Sequence, residues 1–193
     1  MFSFSVFSLS LETDKDLYKK GEEILLNALC SGNSLVVFSA STVEGKKIFE
    51  FTKECLEGAI NESMSVGFAD PSGKWVIEAV SGEERAQTNL EILKTPETQF
   101  FLITVLSPSF GDHYRAEDLN ILIRVTDAGQ IVENAEVKFF DLNGNPVRMN
   151  YFGNGMYSSQ FNLPFDAELK DWELFFVAAK EQNGGFFGGE KSF

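Results

Sequence analysis

Apolar and polar residues alternate with a period of two along most of this chain, and that period predicts strands. In residues 4–13, Phe7, Leu9 and Leu11 share one face while Ser8, Ser10 and Glu12 share the other. The parity slips between Phe4/Val6 and Phe7, the mark of a bulge or a change of sheet. A polar connection, 13–18, leads to Gly21, which permits a turn into the next strand, Glu23–Leu29. Strands at 35–41 and 47–52 follow, joined by a tight turn at Val43-Glu-Gly45-Lys. Residues 53–62 read equally as a short helix or a connecting loop, because Gly58 interrupts them. A strand at 63–69 ends in Asp70-Pro71-Ser72-Gly73, a strong turn signal, and 75–80 and 86–93 pair across Ser81–Glu84. Roughly every ten residues a turn signal recurs, the pattern of a β-sandwich.

The second half repeats the scheme. Lys94-Thr-Pro96-Glu reads as a short linker, and strands are expected at 99–106, 119–125, 135–140, 147–151, 156–163 and 172–180. Asn143-Gly144 is the strongest hairpin signal in the chain. The glycine-rich tail supplies a last edge strand. A longer-range period supports two units: Tyr18 opens a strand 57 residues before Trp75, and Tyr114 opens one 58 residues before Trp172. A repeat of about 96 residues matches a whole small domain rather than a solenoid unit. The expected architecture is all-β, with two tandem β-sandwich domains at 1–94 and 95–193. Tyr18, Trp75, Tyr114 and Trp172 are expected in the two cores.

Composition narrows the classes of function. The formal charge is −13, with 29 acidic against 16 basic residues. That argues against nucleic-acid binding, which needs clustered Lys and Arg on phosphates, and implies a solvated acidic surface. No apolar run is long enough to span a bilayer. The opening residues alternate like a strand and lack a basic segment, unlike a signal peptide, and an abrupt end without a charged tail suits a piece of a longer chain. Cys30 and Cys55 are the two cysteines, both in the first half. They read either as a disulfide or as two buried thiols in a reducing compartment.

Candidate chemistry is sparse. The single histidine, His113, sits in a polar loop and reads as a surface residue, and no Gly-x-Ser-x-Gly elbow occurs. One histidine and two cysteines do not supply a zinc site. Asp141, Asn143 and Asn145 are spaced like the start of a calcium loop, but the closing Glu is missing and the hairpin turn explains them more cheaply. No cofactor is expected. The aromatics expected on the surface are Phe110, Tyr151, Phe152, Phe186 and Phe187; gathered in one patch, they would form a binding edge or a contact with a neighbouring domain.

The string Tyr18-Lys-Lys-Gly21-Glu22, with Gly45, Asp70-Pro71, Gly73 and Trp75, resembles the opening domains of the macroglobulin family and related bacterial immunoglobulin-like repeats. Asp127, Asn134-Ala135-Glu-Val137, Asp141-Leu-Asn-Gly144, Gly153-Asn-Gly155-Met-Tyr157 and Trp172 extend the resemblance through the second half. Lys20 stands where such repeats usually carry Pro, and the second copy lacks the Gly. No run like the thioester Cys-Gly-Glu-Gln is present, so protease trapping does not carry over. The resemblance implies that both sandwiches, 1–94 and 95–193, are immunoglobulin-like: two tandem immunoglobulin-like β-sandwich domains serving as non-enzymatic modules, extracellular or on the cell surface, acting as spacers or adhesive surfaces toward a protein partner or neighbouring domains. The alternatives are a module binding carbohydrate or peptide, and an accessory domain of a larger enzyme.

Overall fold

A computed structural model of the chain describes residues 8–109, 111–182 and 185–193, apart from the side chains of Pro96 and Thr98. It divides into two compact units, Met1–Leu93 and Lys94–Phe193. No α-helix occurs among the described residues; each unit is a sandwich of two sheets with immunoglobulin-like strand order.

The first unit contains strands β1 (Ser10–Thr13), β2 (Leu17–Tyr18), β3 (Glu23–Leu29), β4 (Leu35–Thr42), β5 (Lys47–Glu54), β6 (Ala59–Ser65), β7 (Gly73–Ser81) and β8 (Glu84–Ile92). One sheet has the order β1-β3-β6; the other has the order β2-β8-β7-β4-β5. Alternation fixes which residues meet between them. Ile24, Leu26 and Ala28 of β3 face inward, as do Val36, Phe38 and Ala40 of β4 and Trp75, Ile77 and Ala79 of β7. A change of sheet falls between β1 and β2, where the chain leaves β3 and pairs parallel with Glu91 and Ile92; the parity slip expected between Phe4/Val6 and Phe7 lies outside the described residues. Two expectations are corrected here. The 53–62 stretch is neither helix nor simple loop, since β6 begins at Ala59. The strand expected at 63–69 is therefore shifted, because register with β3 pairs Leu29 with Ala59 and Glu23 with Ser65.

Two polar handles lock this core. Trp75 is buried, and its indole N–H donates to the Pro71 carbonyl at 3.0 Å, so the Asp70-Pro71 turn and the ring fix each other. Tyr18 is also buried; its hydroxyl donates to the Asp14 carboxylate at 2.7 Å and accepts from the Lys15 N–H at 3.0 Å. Burial, and then the Asp14 carboxylate, push the phenol up to about 12. Gly21 sits at φ +86°, and a Cβ there would meet the Phe68 ring at 2.6 Å, so the turn before β3 needs glycine on both counts.

Cys30 and Cys55 form a disulfide between the connections that follow β3 and β5, and both are buried. The chain closes tightly around it: the Asn33 N–H donates to the Cys55 carbonyl and the Cys55 N–H to Ser34. Closing a loop with a sequence separation of 25 restricts the unfolded chain and contributes roughly 3 kcal/mol.

The second unit contains a 3-10 turn, Pro96–Gln99, followed by β9 (Phe101–Ser107), β10 (Asp118–Asp127), β11 (Gln130–Ile131), β12 (Glu136–Phe140), β13 (Pro146–Arg148), β14 (Asn150–Gly153), β15 (Met156–Asn162), β16 (Phe175–Gln182) and β17 (Gly185–Ser192). One sheet runs β11-β10-β15-β14 with β9 also paired to β10; the other runs β13-β12-β16-β17. The single strand expected at 147–151 is in fact two, parted at buried Met149, and the pieces join different sheets. Ile121, Ile123 and Val125 meet Val137, Phe139, Phe176 and Ala178 in the core. The tail is an edge strand in which packing requires Gly188 and Gly189. A Cβ on Gly189 would run into the Phe101 carbonyl, where β9 crosses close to β17.

The expected pairing of Tyr114 and Trp172 in this core is wrong. Tyr114 is 82% exposed, in the connection before β10, and Trp172 is half-buried, three residues short of β16. Charged neighbours (Asp171 and Glu173 around Trp172, Arg115 after Tyr114) keep both segments out of the apolar interior. The core tyrosine is Tyr157: fully buried, it donates to the Val132 carbonyl at 2.9 Å and accepts from the Ala135 N–H at 2.8 Å.

Two measurements test these assignments. Reduction with excess phosphine, followed by calorimetry, should lower the melting temperature of the first unit by about 10–20 °C and leave the second unit's transition in place. Tyr157→Phe should cost about 1–3 kcal/mol in denaturant unfolding, because it strands a buried carbonyl, whereas Tyr114→Phe should stay within about 0.5 kcal/mol. Equal costs for the two tyrosines would restore the original repeat.

Candidate functional site

Three connections of the second unit converge at one end of its sandwich: 108–117 between β9 and β10, the 141–145 turn, and 163–174 between β15 and β16. Backbone bonds splice the first to the third, since the Ala116 N–H donates to the Leu163 carbonyl and the Leu163 N–H to Glu117, each at 2.9 Å. The Glu117 side chain completes the first loop, accepting from the Tyr114 N–H at 2.8 Å, with His113 Nδ1 3.4 Å away. The Tyr114 amide, and secondarily His113, hold the Glu117 carboxyl below its ordinary range. His113 is thus tied into the loop as a partner of Glu117.

The 141–145 turn uses its own carboxylate. Asp141 accepts from the Asn143 and Asn145 N–H groups at 2.9 and 2.8 Å, and from the Asn145 side-chain amide at 3.0 Å. The residues spaced like a calcium loop therefore satisfy one another as a turn. Among the described residues no group of three or more His, Cys, Asp or Glu is placed to hold a metal ion.

Between these loops lies a cleft of about 740 Å³. Its floor is apolar: Leu119, Leu142, Phe161, Leu163, Leu174 and Phe193. Its rim is charged: Asp112, His113, Arg115, Glu168, Lys170 and Asp171. Trp172 lines the cleft and the adjoining smaller depression that holds Asp166. The indole N–H donates to the Glu168 carbonyl at 3.2 Å. Lys170 Nζ lies 4.4 Å from the centre of the indole and 2.7 Å from the Glu168 carboxylate, so one face of the ring carries a cation that is itself held in place. That lysine holds the Glu168 carboxyl below its ordinary range.

The surface aromatics named from the sequence do not gather into one patch. Phe110 lies outside the described residues. Tyr151 and Phe152 are on β14, the edge of one sheet, and Phe186 and Phe187 are on β17, the edge of the other. The last two are split by strand alternation: Phe186 is exposed, while Phe187 packs on the core with its ring 4.9 Å from that of Phe100. The Tyr151 ring packs tilted against that of Tyr157 with centroids 5.3 Å apart, and Phe152 is the most exposed of the four described, at 71%. The cleft instead draws on loop residues that alternation does not reveal. The sequence signal for it is the stretch 164–171, acidic and without a strand pattern, between the strands expected at 156–163 and 172–180.

No protein-family model matches the chain, and no curated protein matches it. Solved structures of similar architecture include trypsin-activated alpha-2-macroglobulin from Escherichia coli (TM-score 0.42, 10% identity, covering 97% of this chain and 15% of that one). A tetra-tandem repeat from the extending region of a large adhesion protein is similar at TM-score 0.40 and 15% identity, over 97% of this chain and 49% of the other. An Ig tandem from titin is similar at TM-score 0.31 and 11% identity, over 95% and 94%. The chain spans about one-seventh of the bacterial macroglobulin and half of the adhesion-protein segment. Its assignment as two tandem immunoglobulin-like sandwiches stands on the strand order above.

Proposed function

We propose that this chain is a pair of non-enzymatic modules, 1–94 and 95–193, of a larger extracytoplasmic protein, serving as a spacer or adhesive surface beside neighbouring domains. The observation that carries this reading is the buried Cys30–Cys55 bridge. Disulfides persist in oxidising compartments and are removed in reducing ones, so a stability-bearing bridge fits secretion or surface display. The modular role is supported by the two separate cores, each with its own buried aromatic anchors. The acidic balance of −13 suits a solvated spacer that does not adhere to nucleic acid or anionic lipid.

The test is thiol trapping on the protein in its own cells. Cells are quenched in acid, alkylated before any reductant is added, and the peptides containing Cys30 and Cys55 are weighed. The expected result is a linked pair that takes up two alkyl groups only after reduction, on a protein that protease removes from intact cells. Alkylated free thiols in the first step, with the protein protected from protease, would place it in a reducing compartment and overturn the proposal.

A further inference from the structure

We propose that the cleft at the loop end of the second unit binds an extended peptide segment carrying a bulky apolar side chain flanked by lysine or arginine. The volume of about 740 Å³ is that of a ligand site, and the floor of leucine and phenylalanine side chains suits an apolar group. Leu169, which lines it, is 88% exposed, and Tyr114 and Phe165, on the two connections that form the cleft, are 82% and 81% exposed. The loop also offers backbone. Between residues 165 and 173, the Ala167 N–H is the one amide taken up by a backbone carbonyl among the described bonds. Amides outside strand pairing beside an apolar floor are what an extended main chain needs.

Rim charge selects the flanking residues. Lys170 is engaged by Glu168, and His113 by Glu117. Exposed Asp112, Asp166 and Asp171 have no cation among the described ion pairs, and Arg115 alone opposes them. The rim is therefore anionic in excess, complementary to a basic segment and repulsive to an acidic one. The state of Trp172 argues for peptide over sugar. A saccharide platform presents an open aromatic face, whereas one face of this indole is occupied by the Lys170 ammonium. This proposal goes beyond the modular reading and does not depend on the compartment, so the thiol-trapping result and the binding result stand or fall separately.

The probe is the acetylated and amidated hexapeptide Lys-Arg-Phe-Leu-Arg-Lys, titrated calorimetrically into the full chain at low salt. Saturable one-to-one binding is expected, with a change in tryptophan emission that disappears in Trp172→Phe. Trp172→Ala should weaken binding by more than about thirtyfold, as for a buried aromatic anchor. Asp166→Asn with Asp171→Asn, two exposed changes that leave the fold alone, should weaken it about three- to tenfold. The equally charged peptide Lys-Arg-Gly-Gly-Arg-Lys should bind at least about tenfold more weakly, since burial of the apolar side chains supplies most of the affinity. Equal affinity for the two peptides would mean general attraction to an acidic protein and would overturn the proposal. So would unchanged affinity in the double aspartate variant, or heat from cellohexaose with none from the peptide.

Discussion

Everything in this protein hangs on the period of two in its central strands. Alternate residues of β3, β4 and β7 in the first unit, and of β10 in the second, supply much of the apolar surface of the two cores, and β12 and β16 complete the second, with β16 buried on both faces at its centre. A slip of one residue would put Ile24, Leu26 and Ala28 into water and Leu25, Asn27 and Leu29 into the core. That penalty fixes register, register fixes where each connection begins, and the connections carry all that is not scaffold. Parity also places one of the cysteines. Cys30 continues the inward series 24, 26, 28, whereas Cys55 follows the exposed Lys53 and Glu54 and is held inside by the disulfide and by its N–H bond to the Ser34 carbonyl.

Seen this way, the strands were the legible part of the sequence because alternation is a local signal. The tyrosine–tryptophan repeat was less trustworthy because it rested on spacing alone. Trp75 sits between Lys74 and Val76 in a run that alternates through Ala79, and its indole N–H finds a carbonyl made available by the Pro71 turn. Trp172 has the same spacing but lacks the context: Lys170, Asp171 and Glu173 surround it, and the strand does not start until Phe175. Tyr157 had the right context all along. It pairs with Ile123 in register, and the Val132 and Ala135 backbone groups lie within reach of its hydroxyl. What decides a core aromatic is its strand parity together with a partner for its polar end.

The cleft was illegible for a different physical reason. Its walls come from 108–117, 141–145 and 163–174, segments far apart in sequence that meet only because β10 pairs with β15 and β12 pairs with β16. No periodicity marks such a meeting. The misread surface aromatics show the same limit: adjacent Phe186 and Phe187 look like a pair in sequence, yet a strand sends them to opposite faces.

The two units spend their connections differently, and that difference is where function is to be sought. In the first unit, the chain from β6 to β7 is short and closes on the Asp70-Pro71 turn, with the Gly67 N–H donating to Asp70 at 2.7 Å. In the second, the corresponding chain from β15 to β16 runs from Leu163 to Leu174 and remains largely outside regular hydrogen bonding. Ordering a long loop costs conformational entropy that a spacer has no reason to bear, while a recognition surface needs exposed amides, apolar tips and charge in one place. The first unit, with its buried disulfide and compact turns, has the character of a strut. The second presents the same sandwich with one end opened into a lined cleft, and fold likeness cannot account for that end: the scaffold is shared among many proteins, but the side chains on these loops belong to this one.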